Sequence, residues 1–369
     1  MIDSFYKISD IDTIDSPALI FYPEKISANI DRMIQEVDDI QLLRPHVKTF
    51  KTAEIAELLI NKGISKFKCA TIAEAEMLGM VKAKDVLLAF QPVGPKINRL
   101  IKVQKKYPNT IFSTIIDNEF SAKEIANIYK TNNSTLNLYL DINVGMNRTG
   151  IEPNEEAFNL FGICQNLEGI NPIGLHVYDG HLHDSDIILR AKKCNNAFEK
   201  VKDLSKKIEG DLGVLPIIIA GGTPTFPIHS KRKNVESSPG TNVLWDFGYK
   251  NLLPEQHYEY GALVITRVIS KLENNQLCLD LGHKSIAAEQ SFPRVHFLNF
   301  SEAKEVSHSE EHLVVSVPNA ENIQIGTVFY GVPQHICPTC ALYESASVIE
   351  KNTTIDEWKI IARTKKITI

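Results

Sequence analysis

The sequence has no tract of clustered lysine and arginine: 40 such residues are spread against 45 Asp and Glu, for a formal net charge of -5. Phosphate-backbone binding needs concentrated positive charge, so nucleic acid is not expected as a main partner. No apolar run reaches the roughly 18 residues of a membrane span. The opening segment MIDSFYKISDIDTIDSP is polar and acidic, without the basic and apolar parts of a secretory signal. Cysteine is scarce, with six residues scattered over 369 positions, which does not suggest a disulfide framework. Internal repeats and low-complexity linkers are also missing. A reduced, cytoplasmic protein is the expectation. What remains is 43% hydrophobic and 23% charged, the make-up of a globular chain long enough for one large domain or two ordinary ones.

Short apolar runs alternate with helical patterns. ALIFY, LLRPHVK, KFKCAT, DVLLAF, TIFSTII, LNLYLDINV, PIGLHVY and LPIIIAGG are each followed by such a pattern or by a glycine turn. Strands apolar on both faces, alternating with helices, indicate a parallel sheet covered by helices. Seven strands count from LLRPHVK, and an eighth fits near 233–245. Eight units in this length suit a (β/α)8 barrel, with an open doubly wound sheet as the alternative. After about residue 250 the style changes. GALVITRVISKLENNQLCLDLGHK reads as two β-branched runs around an Asn-Asn turn, an antiparallel hairpin. HLVVSVP, TVFYGVP and the closing WKIIARTKKITI continue the β-rich pattern. The expected fold is therefore an α/β barrel over 17–245 followed by a β-rich domain over 246–369.

Lys48 ends the run LLRPHV just before the helical pattern TAEIAELL. A lysine there is ordinarily a solvated charge. In a barrel, however, that position lies at the C-terminal mouth, where active sites are built. AGGTPT, residues 220–225, falls at the end of the seventh strand, and SSPGTN, residues 237–242, where an eighth would end. Barrels often hold phosphate between those two loops. Glycines let backbone amides approach an anion, and a hydroxyl such as that of Thr223 assists. A lysine sharing a mouth with a phosphate site suggests a phosphorylated aldehyde cofactor bound as a Schiff base. Near the C-terminus, HIC offers His335 and Cys337. In an extended segment these would point the same way, and imidazole with thiolate favours zinc over magnesium or calcium. CPTC allows Cys340 as a rival ligand.

RPHVKTFKT resembles the lysine motif of the D-threonine aldolase and D-serine dehydratase family, fold type III pyridoxal-phosphate enzymes related to alanine racemase. NVGMNRTG, GLHVYDGH, AGGTPT, ESSPGTN and PQHICPTCALYE follow in the family's order. The resemblance covers nearly the whole chain and implies a barrel with a β-domain that residues 1–16 join. It implies Lys48 as the Schiff-base lysine rather than Lys51. It places Arg148 near the cofactor's phenolic oxygen, Tyr178 against the ring, Gly222, Thr223, Gly240 and Thr241 around the phosphate, and Glu236 at the pyridine nitrogen. The family's usual Tyr after PGT is Asn242 here, so no ring contact is expected there. His335 and Cys337 become ligands of a divalent metal, zinc or manganese, with Cys340 in the core. His181, rather than His183, is the expected acid–base group.

The activity implied is a lyase on D-3-hydroxy amino acids. Retro-aldol cleavage of D-threonine to glycine and acetaldehyde is placed first. Dehydration of D-serine or D-threo-3-hydroxyaspartate is the alternative, and an amino-acid racemase is a further one. A non-catalytic cofactor carrier is disfavoured by the β-domain and the metal pair. A homodimer is implied as well.

Overall fold

The computed structural model describes residues 3–369. It begins with strand β1 (Ala18–Phe21) and helix α1 (Pro23–Gln35). Helices α2 (Ala53–Asn61), α3 (Ile72–Met80), α4 (Pro95–Lys106), α5 (Glu119–Thr131), α6 (Glu155–Gln165) and α7 (Ile187–Leu212) follow, interleaved with parallel strands. Those strands are β2 (Lys66–Cys69), β3 (Asp85–Leu88), β4 (Ile111–Ile116), β5 (Leu136–Ile142), β6 (Ile170–Val177), β7 (Ile217–Ala220) and β8 (Val235–Ser237), paired in chain order.

Residues 43–47 close the barrel, because they bond to both edge strands. The Arg44 N–H donates to Ser237 O at 2.9 Å and the His46 N–H to Pro239 O at 2.8 Å. On the other side Lys68 N–H donates to Pro45 O and Val47 N–H to Lys68 O, each at 2.9 Å. Proline at 45 has no N–H to give, which suits a short, irregular closing strand.

The helices follow local rules. The Asp186 carboxylate accepts from the Ile188 and Leu189 N–H groups and caps α7. Cys194, Phe198, Val201, Leu204 and Ile208 recur at helical spacing on its buried face. The helix stops at Gly213, whose φ of 70° is left-handed.

Leu87, Ile115, Tyr139 and Ile219 form one buried cluster contributed by β3, β4, β5 and β7. At the N-terminal ends of the strands a buried ionic group replaces this apolar packing. Arg44 Nε donates to Glu236 at 2.6 Å and its NH1 to Asp85 at 2.7 Å. Lys66 also donates to Glu236. Burial works against the Arg44 charge, but Glu236 and then Asp85 outweigh it and raise its pKa. Arg44→Ala would leave Glu236 buried with half its partners. Unfolding in denaturant should show a loss of about 3–5 kcal/mol, the usual cost of breaking a buried pair.

The remaining strands are β9 (Ala262–Leu272), β10 (Gln276–Leu279), β11 (Val295–Phe297), β12 (Lys304–His308), β13 (Leu313–Ser316), β14 (Val328–Pro333), β15 (Ser345–Glu350) and β16 (Thr353–Lys359). They form a mixed sheet in the order β12-β13-β10-β9-β1-β15-β16, with β14 bridging β9 and β11. The expected hairpin is β9–β10, with Asn274 and Asn275 both at positive φ, 58° and 56°, as a type I′ turn requires.

The chain falls into two compact units, 33–48, 56–240 and 364–369 against 3–32, 49–55 and 241–363. This division differs from the expected boundary of 17–245. β1 pairs with β9 and β15, not with a barrel strand. Its ALIF run followed by a helix looks like a barrel repeat, and only pairing partners over 200 residues away reveal otherwise. Tyr6, Ile8 and Ile14 pack with Ile20, Leu263, Ile265 and Tyr330 in the second unit's core. The closing segment was expected to be strand throughout, but 364–369 pack on the barrel unit. There Arg99 donates to Ile369 O at 2.8 Å and the Ile369 N–H to Glu76 at 3.2 Å. Among the described residues, no helix is long and apolar enough to cross a membrane.

Candidate active site

The barrel unit gathers a polar mouth at the C-terminal ends of its strands. Lys48 follows the closing segment and is half-buried. Its own N–H is held by His46 Nδ1 at 3.3 Å, and its Nζ makes no hydrogen bond among the described residues. Lys51, the rival amine, belongs to the other unit, where it sits in a left-handed turn with φ 56° and its carbonyl accepts from the Ala362 N–H. Asn242 lies in that unit too, its amide donating to Gln256.

Tyr178 ends the sixth strand's run. The Arg148 guanidinium lies 5.0 Å from its ring centroid and the Lys68 Nζ 5.7 Å from it. A side chain at Gly222 would come within 3.2 Å of that ring, so the glycine gives the tyrosine its place. Gly221 has φ 76°, and a Cβ there would meet His229 at 2.6 Å and Thr225 at 2.8 Å. Thr223 and Gly240 are buried, and the Gly240 N–H donates to the Thr223 hydroxyl at 3.3 Å. The loops after β7 and β8 therefore touch, as a phosphate cradle built from both requires.

His181 packs on the loop after β5, where a Cβ at Gly145 would lie 2.8 Å from its Nε2. Its Nδ1 is buried without a hydrogen-bond partner. His183 is exposed. Glu236 is not part of this group. Both its oxygens are taken by Arg44 and Lys66 at the opposite end of the barrel. The expected placement at a pyridine nitrogen is therefore corrected: alternation along β8 sends this side chain into the lower ionic layer.

Three groups in the mouth escaped the sequence reading. Lys68 is buried, and its Nζ reaches Gly221 O at 3.4 Å. Burial, then the charge of Lys48, lowers its pKa to about 7. Asp141 accepts from His176 Nδ1 at 2.8 Å and from Thr149 at 2.8 Å. Burial opposes that carboxylate, but His176 and Thr149 hold its pKa below the usual range. Burial also lowers the pKa of His176, so the imidazole is neutral and its buried Nε2 is unpartnered. The period-two alternation of KFKCAT and LYLDIN would have shown Lys68 and Asp141 facing the lumen.

The second unit carries the His-x-Cys pair. His335 stands just before helix α10 (Ile336–Leu342, after the short α8, Phe226–His229, and α9, Phe247–Leu252). The segment is thus not extended throughout, as expected. His335 has extended dihedrals, while Cys337 lies in the first helical turn, and the two side chains hydrogen-bond. His335 Nδ1 is 2.5 Å from Glu289 Oε1. Burial disfavours the imidazolium, yet Cys337 and then Glu289 raise its pKa to about 9. The Cys337 sulfur lies 3.2 Å from the Thr49 hydroxyl and 3.5 Å from that of Thr241. Cys340 is fully buried, and burial pushes its thiol pKa well up. A cavity of about 260 Å³ opens beside His335, lined by Asp246, Tyr249, Gln290 and Gln334.

Asp179, Cys194 and His229 in the barrel unit also bring three ligand atoms within 4.8 Å of one another. Their atoms are spent on each other. Arg232 Nε donates to His229 Nδ1 at 3.2 Å, leaving Nε2–H to donate to Asp179 at 2.8 Å. Burial, then Asp179, raises the Cys194 pKa to about 12, so the thiol keeps its proton. A guanidinium beside a protonated thiol suits a hydrogen-bonded brace better than a cation. The brace ties Asp179 to Thr225 at 2.7 Å and so joins the loops after β6 and β7.

The family described as "Alanine racemase, N-terminal domain" matches residues 23–241, and "Putative serine dehydratase domain" matches 261–349. The chain is 25% identical to a D-threonine aldolase of Arthrobacter sp., over 95% of this chain and 93% of that one. It is 20% identical to the D-threo-3-hydroxyaspartate dehydratase of Delftia sp. (strain HT23), over 94% and 97%. Among solved structures, D-threonine aldolase from Filomicrobium marinum superposes with a TM-score of 0.86 at 22% identity, covering 95% of each chain.

Proposed function

The chain belongs to the alanine racemase N-terminal domain family, and from that premise we propose a lyase dependent on pyridoxal phosphate and a divalent metal, acting on D-3-hydroxy amino acids. The observation that carries this reading is the His335–Cys337 pair, buttressed by Glu289. A racemase needs no such centre. The carboxylate behind a ligating histidine is a common device for fixing ring and tautomer.

The barrel mouth fits the cofactor. It offers an unbonded amine at Lys48, touching glycine loops at Gly222, Thr223 and Gly240, and unpartnered buried nitrogens on His176 and His181. Lys48 would hold the cofactor's aldehyde carbon, Arg148 and Tyr178 its ring, and Gly222, Thr223, Gly240 and Thr241 its phosphate. Bound pyridoxal phosphate supplies an electron sink for the bond broken at Cα. A metal held by His335 and Cys337 supplies a Lewis acid for the 3-hydroxyl.

The chain's own groups then do the proton work. In retro-aldol cleavage His181 takes the hydroxyl proton as Cα–Cβ breaks. In dehydration Lys48 takes the Cα proton and the hydroxyl leaves. D-threonine aldolase activity is placed first, supported by the higher identity to that relative. D-serine or D-threo-3-hydroxyaspartate dehydration stands second, supported by the dehydratase similarity. Incubation with D-threonine and D-serine, with and without zinc or manganese, decides. Glycine plus acetaldehyde from D-threonine is expected. A 2-oxo acid plus ammonia means dehydratase, and metal-independent racemisation overturns the lyase reading. We also propose a homodimer, the commonest soluble oligomer; an active species near the 41.4 kDa chain mass by light scattering would refute it.

A further inference from the structure

We propose that the barrel unit carries a second ligand site at the N-terminal ends of β7 and β8, away from the mouth: a cavity that takes a small organic anion with an apolar body, such as a medium-chain carboxylate.

The cavity exists because the barrel's outer layer is thin at this point. Between β7 and β8 the chain has only the four-residue helix α8, whereas α7 runs for 26 residues. Four residues span about 6 Å of helix, too little to cover the strands they join. The starts of β7 and β8 are left open beside α7, and a cavity of about 630 Å³ forms there, within the range of small-molecule sites. Its wall is apolar: Leu42, Leu215, Ile217, Ile218 and Val235 line it, with Leu215 64% and Ile217 39% exposed. Phe198, Lys202 and Ser205 of α7 are spaced by four and three positions, so one face of that helix forms the other side.

The charge is one-sided. Lys66, Lys202, Lys231, Arg232 and Lys233 line the cavity, against Glu236 as the one acid among the described residues, in a chain whose net charge is -5. Glu236 cannot neutralise them, because Arg44 and Lys66 hold both its oxygens. Lys202 pairs with Glu199 at 2.7 Å and Lys231 donates to the Glu36 carbonyl at 3.1 Å. An ammonium has three donors, so both keep donors to spare. Lys233 is exposed and makes no ion pair among the described residues. Arg232 is the fixed member. Its guanidinium lies 4.2 Å from the Phe198 ring centroid, with Nε donating to His229 at 3.2 Å and NH2 to Asn195 at 2.6 Å, while NH1 has no partner among the described residues. A planar fork held in place this way loses little freedom when it binds an oxyanion. Spare cationic donors beside an apolar wall fit an anion with a hydrophobic body. A cation of the same body is repelled, and an inorganic anion gains nothing from the wall. Barrel chemistry is performed at the C-terminal face, so this site lies outside it.

The test is calorimetric titration of decanoate into the purified full chain. One saturable site per chain is expected, with an affinity that falls as salt rises. Decyltrimethylammonium, an equal body of opposite charge, should not bind. Lys202→Glu combined with Lys233→Glu changes two side chains that reach solvent, so the circular dichroism spectrum should be kept while the decanoate dissociation constant rises by at least about tenfold. Leu215→Asn, on the apolar wall, should raise it by about threefold or more. The proposal is overturned if decanoate does not saturate, if decyltrimethylammonium binds as tightly, or if either variant binds decanoate as the wild type does. Binding that survives both variants would lie in the mouth instead. Saturation by a poly-glutamate peptide without decanoate binding would mark an acidic polypeptide as the partner and overturns it too.

Discussion

Lys48→Ala should abolish both the borohydride-reducible adduct and the turnover of 3-hydroxy D-amino acids, the latter by at least about 10⁴-fold, since it removes the nucleophile and, for dehydration, the base at once. The wild-type protein should be yellow and lose that colour on reduction. The argument rests on position. Lys48 directly follows the closing segment, whose His46 and Val47 join Lys68 of β2, and the Lys68 Nζ in turn reaches Gly221 O and the Tyr178 ring. The ionic layer at Arg44 and Glu236 lies at the other end of the barrel, so the variant should fold normally. A Lys48→Ala protein that still yields a reducible adduct with wild-type activity would falsify the assignment. Loss of activity with the adduct retained elsewhere would point to a different aldehyde-binding lysine.

His335→Ala and Cys337→Ala should each leave cofactor binding intact and lower turnover by at least about a hundredfold, the upper part of the range recorded for loss of outer metal contacts. Each removes one donor from a pair, and each should lower the metal content measured after dialysis. Glu289→Gln keeps the size and removes the charge behind His335 Nδ1, 2.5 Å away. It should weaken metal affinity by about tenfold with a smaller effect on saturated turnover. Cys340→Ala should retain the metal, because its thiol is buried in packing and held protonated. If Cys340→Ala loses the ion while Cys337→Ala keeps it, the ligand pair has been misdrawn.

The site was legible wherever a motif is short and local. AGGTPT, PGTN, HIC and the lysine after LLRPHV each bring their chemistry within a few residues. The β-α alternation around them placed three of those motifs at the ends of strands. Lys68 is not marked out within KFKC, where it alternates like Lys66, and only the closed barrel denies it water. Asp141 and His176 come from different strands, and their bond is a property of neighbouring strands rather than of either run.

Glu236 shows the limit most plainly. Gly240, four residues on in ESSPGTN, meets Thr223 of the loop after β7, yet Glu236 in the strand faces a different layer, and Arg44, distant in sequence, claims its carboxylate. Glu289 could not be paired with His335 from sequence at all, since the two stand 46 positions apart with strands and turns between them.

By itself the sequence determined the alternating elements, the glycine loops and the turn at Asn274 and Asn275, and it supplied the candidates Lys48, His335 and Cys337. These depend on dihedral preference, hydrophobic period and the chemistry of single residues, all of which act over a few positions. Tertiary structure alone decided that β1 leaves the barrel for β9 and β15, that Asp179, Cys194 and His229 brace loops together, and that Lys68 is buried inside the barrel. Those outcomes depend on desolvation and on pairing between distant segments, and both come into being only when the chain closes on itself.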